Sequence, residues 1–498
     1  MSMPQGLPCH DAVIVGAGFG GMGAAIQLRR MGYDDLVILE REDDLGGTWH
    51  VNHYPGLAVD IPSATYSYSF EPNPYWSRLF APGPELKNYA THVAEKYDLR
   101  RLMRFDTVVE GAAWDEAAAC WTVTTTAGEQ IRGRFLLTAT GFLSQPKMPE
   151  IPGIDTFAGT IIHTADWDDD ADLGGKRVAV IGTGATAVQL IPTIAPEVAE
   201  LTVYQRTAIW VAPKIDYRVP RLVKTLFAKV PWTQRLMRLG GTGILEVMMV
   251  AGVLHFGSLP GANRLGAKVC RNHLEREIKD PELRRKLTPD YSFGCKRPTF
   301  SNTFYRAFAT GAAKLETEPI SHLDADGIVT EDGRRTDIDV LVLATGFDLW
   351  DTNFPAIRIV GREGRDLRTW WRDNRFQAYE GIAIPKFPNF FSLNSPYSYS
   401  GLSYFTTIES QMKHMGRLLG ELQRRGARTF EVSSEANDAF LERMTEKLGD
   451  SVFTLGSCAT SRSYYFNQHG EATLLRPTST VNAFREAGSF PLDDYRYA

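Results

Sequence analysis

The sequence predicts an α/β protein made of two Rossmann-like dinucleotide-binding domains, the second inserted into the first, with a helical insertion in addition. Three observations lead there. A glycine-rich turn, Gly16-Ala-Gly18-Phe-Gly-Gly21, lies between an apolar run and a helical pattern. A second such turn, Gly182-Thr-Gly184-Ala-Thr-Ala187, has the same flanks. Two similar apolar runs, Phe135-Leu-Leu-Thr-Ala-Thr-Gly141 and Val340-Leu-Val-Leu-Ala-Thr-Gly346, bracket the second turn, as expected if the chain leaves one domain and later returns.

In the first unit, Ala12–Val15 reads as a strand and the pattern through Arg30 as a helix. Gly16 permits the tight turn, Gly18 lets a pyrophosphate approach the backbone, and Gly21 lets helix and strand pack closely. The unpaired N–H groups at the helix start face the phosphates. The next strand, Leu36–Leu39, ends in Glu40, placed to accept hydrogen bonds from ribose hydroxyls and to repel a 2'-phosphate. This site suits FAD or NAD rather than NADP.

The second unit runs from the strand Val178–Ile181 through Gly182, Thr183, Gly184, Ala185 and Thr186 to the strand Leu201–Tyr204. Ala187 stands in place of the third glycine. At the strand end Gln205-Arg206-Thr207 replaces the acid, and Arg206 and Thr207 are donors suited to a 2'-phosphate. This site suits NADPH. An FAD site and an NADPH site in one chain imply hydride transfer to a flavin.

The two A-T-G glycines are expected to let the chain leave a sheet edge and cross between domains. These assignments place the first domain at 1–149 and 346–498, the second at 150–214 and 296–345, and a helical insertion at 215–295. A further helical pattern, Phe405–Arg424, carries Glu409 and Gln411. Its start is expected to face the flavin ring.

Composition narrows the function. The chain has 498 residues, 43% hydrophobic and 23% charged, and a formal charge of -5, which gives no electrostatic case for nucleic acid or for an acidic membrane surface and favours small-molecule chemistry. The opening MSMPQGLPCH has no basic segment followed by an apolar one, so a cytoplasmic protein is expected. The apolar stretch Gly243–Gly257 contains Glu246 and is too short to span a bilayer. It reads as a buried helix, with a peripheral membrane contact as the second reading. Five scattered cysteines, Cys9, Cys120, Cys270, Cys295 and Cys458, form neither a disulfide framework nor a zinc spacing. No metal site is expected, and the thiol pair of a flavin disulfide reductase is missing.

Between the two units lies Phe157-Ala-Gly159-Thr-Ile-Ile-His163-Thr-Ala-Asp-Trp167-Asp168. It resembles the F-x-G-x-x-x-H-x-x-x-W-[P/D] fingerprint of Baeyer–Villiger monooxygenases. Gly46-Gly47-Thr48-Trp49 and Tyr54-Pro-Gly56 resemble that family's flavin-ring loop, Gln205-Arg206-Thr207 its NADPH-phosphate segment, and Lys296-Arg297-Pro298 its active-site arginine segment. By this resemblance Asp60 is the acid that orients the arginine, Arg297 is that arginine, and Lys296 belongs to the coenzyme site. Departures fall at Leu57-Ala-Val59 before Asp60 and at His50-Val51 after Trp49.

The resemblance implies that NADPH reduces FAD, that O2 adds at the flavin C4a carbon, and that the peroxide anion attacks a ketone carbonyl to give an ester or lactone. Arg297 would favour that anion without becoming an acid, held by Asp60. The residues also admit plainer readings: Lys296-Arg297 as a basic pair on a surface loop, Asp60 as a loop or cap residue, His163 as a structural histidine, and Trp167 as core. A linker role is expected for His163. Trp49, beside two glycines, is the better candidate for lining the flavin. Two other functions compete, an N- or S-oxidising flavin monooxygenase and a non-catalytic sensor of FAD and NADPH. Trp167 and Arg297 speak against the first, and the intact Lys296-Arg297 segment against the second.

Overall fold

The computed structural model describes residues 8–399, 401 and 403–498. The opening segment on which the cytoplasmic expectation rests therefore lies mostly outside the described residues.

The first sheet is built around the strand Cys9–Val15, which pairs in parallel with Leu36–Leu39 on one side and Gln130–Thr138 on the other. All four residues of Leu36–Leu39 are buried. A strand covered on both faces must be apolar throughout rather than alternating. The strand Phe390–Ser392 joins Gln130–Thr138 in parallel, and the meander Val109–Asp115, Cys120–Thr125 extends the sheet by antiparallel pairing. The helix Phe19–Arg30 and the long helix Tyr404–Arg425 pack over it, with the rings of Phe19 and Phe405 4.6 Å apart.

The second sheet is all parallel, in the order Lys314–Glu316, Glu200–Tyr204, Arg177–Ile181, Val340–Leu343, Thr160–His163. Every strand of it falls between Gln130–Thr138 and Phe390–Ser392 of the first sheet. The second Rossmann unit is thus inserted into the first. Helices Arg221–Lys229, Pro231–Met249, Pro260–Glu277 and Pro281–Lys286 form the helical insertion.

Three expectations are corrected. The A-T-G strands are not at sheet edges: Gln130–Thr138 has neighbours on both sides, and so does Val340–Leu343. Gly141 and Gly346 do turn the chain with positive φ, +72° and +81°, but from inside each sheet. The apolar stretch Gly243–Gly257 is buried only in part. Gly252, Val253 and Leu254 are buried, whereas Ile244, Val247 and Met248 are exposed, because the helix lies on the surface with polar residues turned inward. Finally, Cys295 and Cys458 are joined by a disulfide, their Cα atoms 5.3 Å apart although 163 residues separate them in sequence. Spacing cannot show a pairing that the fold alone brings about.

Candidate active site

In the first glycine turn a Cβ on Gly16, φ +107°, would meet the Ala139 carbonyl oxygen at 2.5 Å, and one on Gly21 would meet the Gly16 oxygen at 1.9 Å. These two glycines are required by the protein itself. A Cβ on Gly18 would meet nothing nearer than the Gly47 Cα at 3.6 Å, so the space above it is a cradle for a ligand rather than a packing need. Glu40 is 6% exposed. Its Oε2 accepts from the Ala17 N–H at 2.6 Å and its Oε1 from the Glu42 N–H at 3.1 Å.

The second turn repeats the construction. A Cβ on Gly182, φ +114°, would meet the Ala344 carbonyl oxygen at 2.4 Å, whereas one on Gly184 would meet nothing within 4 Å. The alanine of each A-T-G segment therefore abuts the first glycine of its own unit. Thr183 Oγ1 donates to the Thr207 carbonyl at 3.1 Å, tying the turn to the strand end. Ala185 and Thr186 begin the helix Ala185–Ile194, and Ala187, in its first turn, is fully buried. At the strand end Gln205 is buried and donates to the Lys286 carbonyl, which leaves Arg206 exposed as the outward donor.

Arg206 is joined by two other cations. Burial, then the charges of Arg206 and Arg462, push the Lys296 ammonium down to about 8. Burial and Arg462 lower Arg206 in turn. Among the described residues none of these three is in an ion pair. A cluster of mutually repelling cations, with Asp290 nearby but not in an ion pair with any of them, fits a bound phosphate. Arg462 was not visible as a site residue in sequence, being a single arginine in a distant loop. The fold brings that loop to the Lys296-Arg297 segment, with the Cα atoms of Cys295 and Cys458 5.3 Å apart.

Arg297 lies between the two units, its side chain 23% exposed. Nε donates to Asp60 Oδ2 at 2.8 Å and Nη2 to Oδ1 at 3.4 Å. Nη1 donates to the Tyr399 hydroxyl at 2.7 Å and to the Gly401 carbonyl at 3.1 Å. Burial opposes the charge, but Asp60 and the surrounding tyrosines Tyr399, Tyr465 and Tyr464 outweigh it and hold the guanidinium pKa well above its usual value. Burial pushes the Tyr399 phenol up to about 12. Tyr399 was not singled out from sequence.

Trp49 sits behind Gly46 and Gly47, which take positive φ, and its Nε1 donates to the Tyr66 hydroxyl at 3.2 Å. Thr48 starts the short helix after Gly47. The Tyr54-Pro-Gly56 segment packs on the second unit: the Tyr54 hydroxyl donates to Gln189 Oε1 at 3.2 Å, and Gln189 Nε2 donates back to the Ala58 carbonyl at 2.9 Å. A Cβ on Gly56 would meet the Gln189 carbonyl oxygen at 2.7 Å. The loop leading to Asp60 is thus pinned by Gln189, a residue that sequence reading passed over.

The fingerprint residues divide between the second unit's core and the segments that connect the two sheets. Phe157 and Trp167 are buried in the second unit's core, and a Cβ on Gly159 would meet the Asp339 carbonyl oxygen at 2.4 Å. His163 Nδ1 accepts from the Ala165 N–H at 3.1 Å, which leaves Nε2–H to donate to Thr345 Oγ1 at 3.3 Å. Thr345 donates onward to the Lys147 carbonyl at 2.6 Å. Burial lowers the His163 pKa, in keeping with a neutral ring. His163 is thus tied to Thr345 and through it to Lys147, which lie on the two segments that connect the first sheet with the second.

A family profile described as pyridine nucleotide-disulphide oxidoreductase matches residues 13–236. That span holds a single cysteine, Cys120, so the match reports the fold and not a redox thiol pair. A Baeyer–Villiger monooxygenase of Streptomyces coelicolor is 38% identical over 97% of this chain and 92% of its own length. The chain belongs to the Baeyer–Villiger monooxygenase family. A second member, from Pseudomonas aeruginosa, is 39% identical over 91% of this chain and 85% of its own. A steroid monooxygenase structure with NADP bound shares 31% identity at a TM-score of 0.86, covering 98% of this chain and 99% of its own. A cyclohexanone monooxygenase from Rhodococcus with NADP+ bound shares 29% identity at a TM-score of 0.86, with 99% of both chains covered.

As a Baeyer–Villiger monooxygenase this protein uses FAD and NADPH, and its residues fit both. The open cradles at Gly18 and Gly184 match two pyrophosphates, and the cation cluster matches the NADPH 2'-phosphate. The Asn394 Oδ1, buried without a protein partner among the described residues, lies beside the first unit's helix start, where Asn394 Nδ2 donates to the Tyr404 hydroxyl.

Proposed function

We propose that Arg297, oriented by Asp60, is the catalytic arginine of an NADPH- and O2-dependent conversion of a ketone into an ester or lactone. The balanced reaction consumes ketone, O2, NADPH and a proton and yields ester, NADP+ and water. Bound FAD supplies the electron relay from NADPH and the activation of O2. The protein supplies charge and positioning. The single observation that carries this reading is the four-contact clamp on Arg297. Nε and one N–H of Nη2 go to Asp60, and both N–H groups of Nη1 go to Tyr399 and Gly401. The guanidinium is fixed by these contacts before reaction begins, its charge available to stabilise a negative oxygen. Because a guanidinium does not deprotonate, it stabilises that oxygen without protonating it.

Glu40 and the Gly18 cradle are assigned to FAD, with Gly47, Thr48 and Trp49 toward its ring. Gly184 to Thr186, Arg206, Thr207, Lys296 and Arg462 are assigned to NADPH. His163 is assigned to coupling the two units rather than to proton transfer. We assign residues 1–149 and 346–498 to the FAD domain, 150–214 and 296–345 to the NADPH domain and 215–295 to the insertion, and we place the enzyme in the cytoplasm. A reducing compartment would hold Cys295 and Cys458 as adjacent thiols.

The test is turnover on linear, cyclic, aryl and steroidal ketones beside a sulfide, scored by product identity per NADPH consumed. Ester or lactone formation coupled to NADPH supports the reading. Sulfoxide alone would favour a soft-atom oxidase, and hydrogen peroxide alone would favour a sensor.

A further inference from the structure

The helical insertion wears its apolar residues on the outside. Along the helix Pro231–Met249, Trp232, Leu236, Leu239, Ile244 and Val247 are each between 61% and 68% exposed. Trp232, Leu236, Leu239 and Val247 fall on one stripe of a helix, with Gly240 and Gly243 between them. Leu222, on the preceding helix, is 81% exposed. In an ordinary surface helix such a stripe faces the core. Only 11% of the most apolar window in the 24-residue stretch Pro231–Leu254 is buried.

Polar anchors hold the helix in this orientation. Gln234 is buried and donates to the Asn73 carbonyl at 2.7 Å. Arg238 donates to the carbonyls of Ser67, at 2.5 Å, and Ala64, at 3.2 Å. Glu246 accepts from the Thr480 N–H at 2.6 Å. Beyond them, a Cβ on Gly401 would meet Met249 Cε at 2.4 Å, so the helix end is packed against the residue whose carbonyl receives Arg297. A helix tied down by three polar side chains does not cross a bilayer. It can lie along one.

The charge around the stripe selects the occupant. Residues 214–271 contain ten Lys and Arg against two Asp and Glu, in a chain whose net charge is -5. Both acids are occupied internally, Asp216 by Arg78 at 2.9 Å and Glu246 by Thr480. Arg221, Lys229 and Arg235 are exposed beside the stripe. A second copy of the chain docking face to face would set this basic excess against itself. Large apolar side chains flanked by uncompensated lysines and arginines match the boundary of an anionic bilayer, where the rings and aliphatic chains enter the acyl region and the cations meet headgroups.

We propose that the outer face of helices Arg221–Lys229 and Pro231–Met249 docks the enzyme on an anionic lipid surface as a monotopic contact. The test uses the FAD-loaded full chain and sedimentation with vesicles of phosphatidylcholine alone or mixed with phosphatidylglycerol. Binding is expected to the mixed vesicles, to weaken as salt rises, and to be at least ~10-fold weaker on phosphatidylcholine alone. Replacing Trp232, Leu236 and Leu239 together with Ser should lower binding at least ~10-fold. Arg221→Glu with Arg235→Glu should do the same by a different route, and both variants should keep their FAD content and NADPH oxidation rate. Failure of the unaltered enzyme to sediment with mixed vesicles at low salt would overturn the proposal. So would undiminished binding by both variants, or a dimer in lipid-free solution that these same substitutions dissociate.

Discussion

At the end of its second strand the first Rossmann unit has Glu40, 6% exposed and already accepting two backbone N–H groups. At the matching place the second unit has Arg206, exposed and facing Lys296 and Arg462, with no ion pair among the described residues. The glycine turns above them are nearly identical: a first glycine closed off by an A-T-G carbonyl and an open cradle over the next. The difference lies in preorganisation. A site whose polar groups are tied down before the ligand arrives loses little ordering entropy on binding and releases its ligand slowly, as suits a resident FAD. A site of exposed, mutually repelling cations gains most from a phosphate and is suited to a coenzyme that comes and goes each cycle.

The largest effect is expected where the two units meet. Arg297→Ala should slow the oxygen-dependent half of the cycle by ~10²–10³ while anaerobic flavin reduction by NADPH survives in part. Arg297→Lys should not restore it, since an ammonium cannot make the paired contact with Asp60. Stopped-flow reduction followed by mixing with oxygen and ketone separates the halves, and ketone conversion at the unaltered rate would remove Arg297 from catalysis.

On the first unit, Glu40→Gln should weaken FAD binding by about 1.5–3 kcal/mol, because the amide keeps one acceptor oxygen and turns an NH2 donor toward the other backbone N–H. Retained FAD after dialysis is the measurement. On the second, Arg206→Ala should cost NADPH about 1–3 kcal/mol and NADH much less. Equal losses for both coenzymes would erase the contrast between the units.

A pH series sharpens the same contrast. With its pKa pushed down to about 8, Lys296 is charged below that pH and loses its charge as pH rises through it. The Lys296 share of the attraction for the 2'-phosphate is therefore present below that pH and lost above it while Arg206 and Arg462 keep theirs, so kcat/KM for NADPH should fall there while that for NADH stays level. Lys296→Arg should flatten the NADPH profile. The smallest effect belongs to His163→Gln, which should preserve fold and FAD content yet lower oxygenated product per NADPH. Loss of one ionisation with coupling intact would instead make His163 a proton carrier.

The sequence by itself determined the two Rossmann units, their order and the FAD and NADPH preferences, with Glu40 and Arg206 at the strand ends, whereas Arg297 and Asp60 came from the resemblance to a family and not from a local signal. Each of the former depends on a short-range signal: an apolar strand of four or five residues, a glycine that must be a glycine, or a charge at the end of one strand. Gly16 and Gly182 were legible because their positive φ leaves few alternatives. What only the tertiary structure decided involves residues far apart in the chain. Arg462 joins the phosphate cluster across a disulfide spanning 163 residues, Gln189 pins the loop that carries Asp60, and Tyr399 completes the clamp on Arg297. The apolar stretch near Gly243 shows the limit from the other side. Its composition reads as core, and its outward orientation follows from Gln234, Arg238 and Glu246 finding partners on distant segments. Periodicity reports that a helix has an apolar face, whereas the direction of that face depends on the packing energies of residues that sequence does not place side by side.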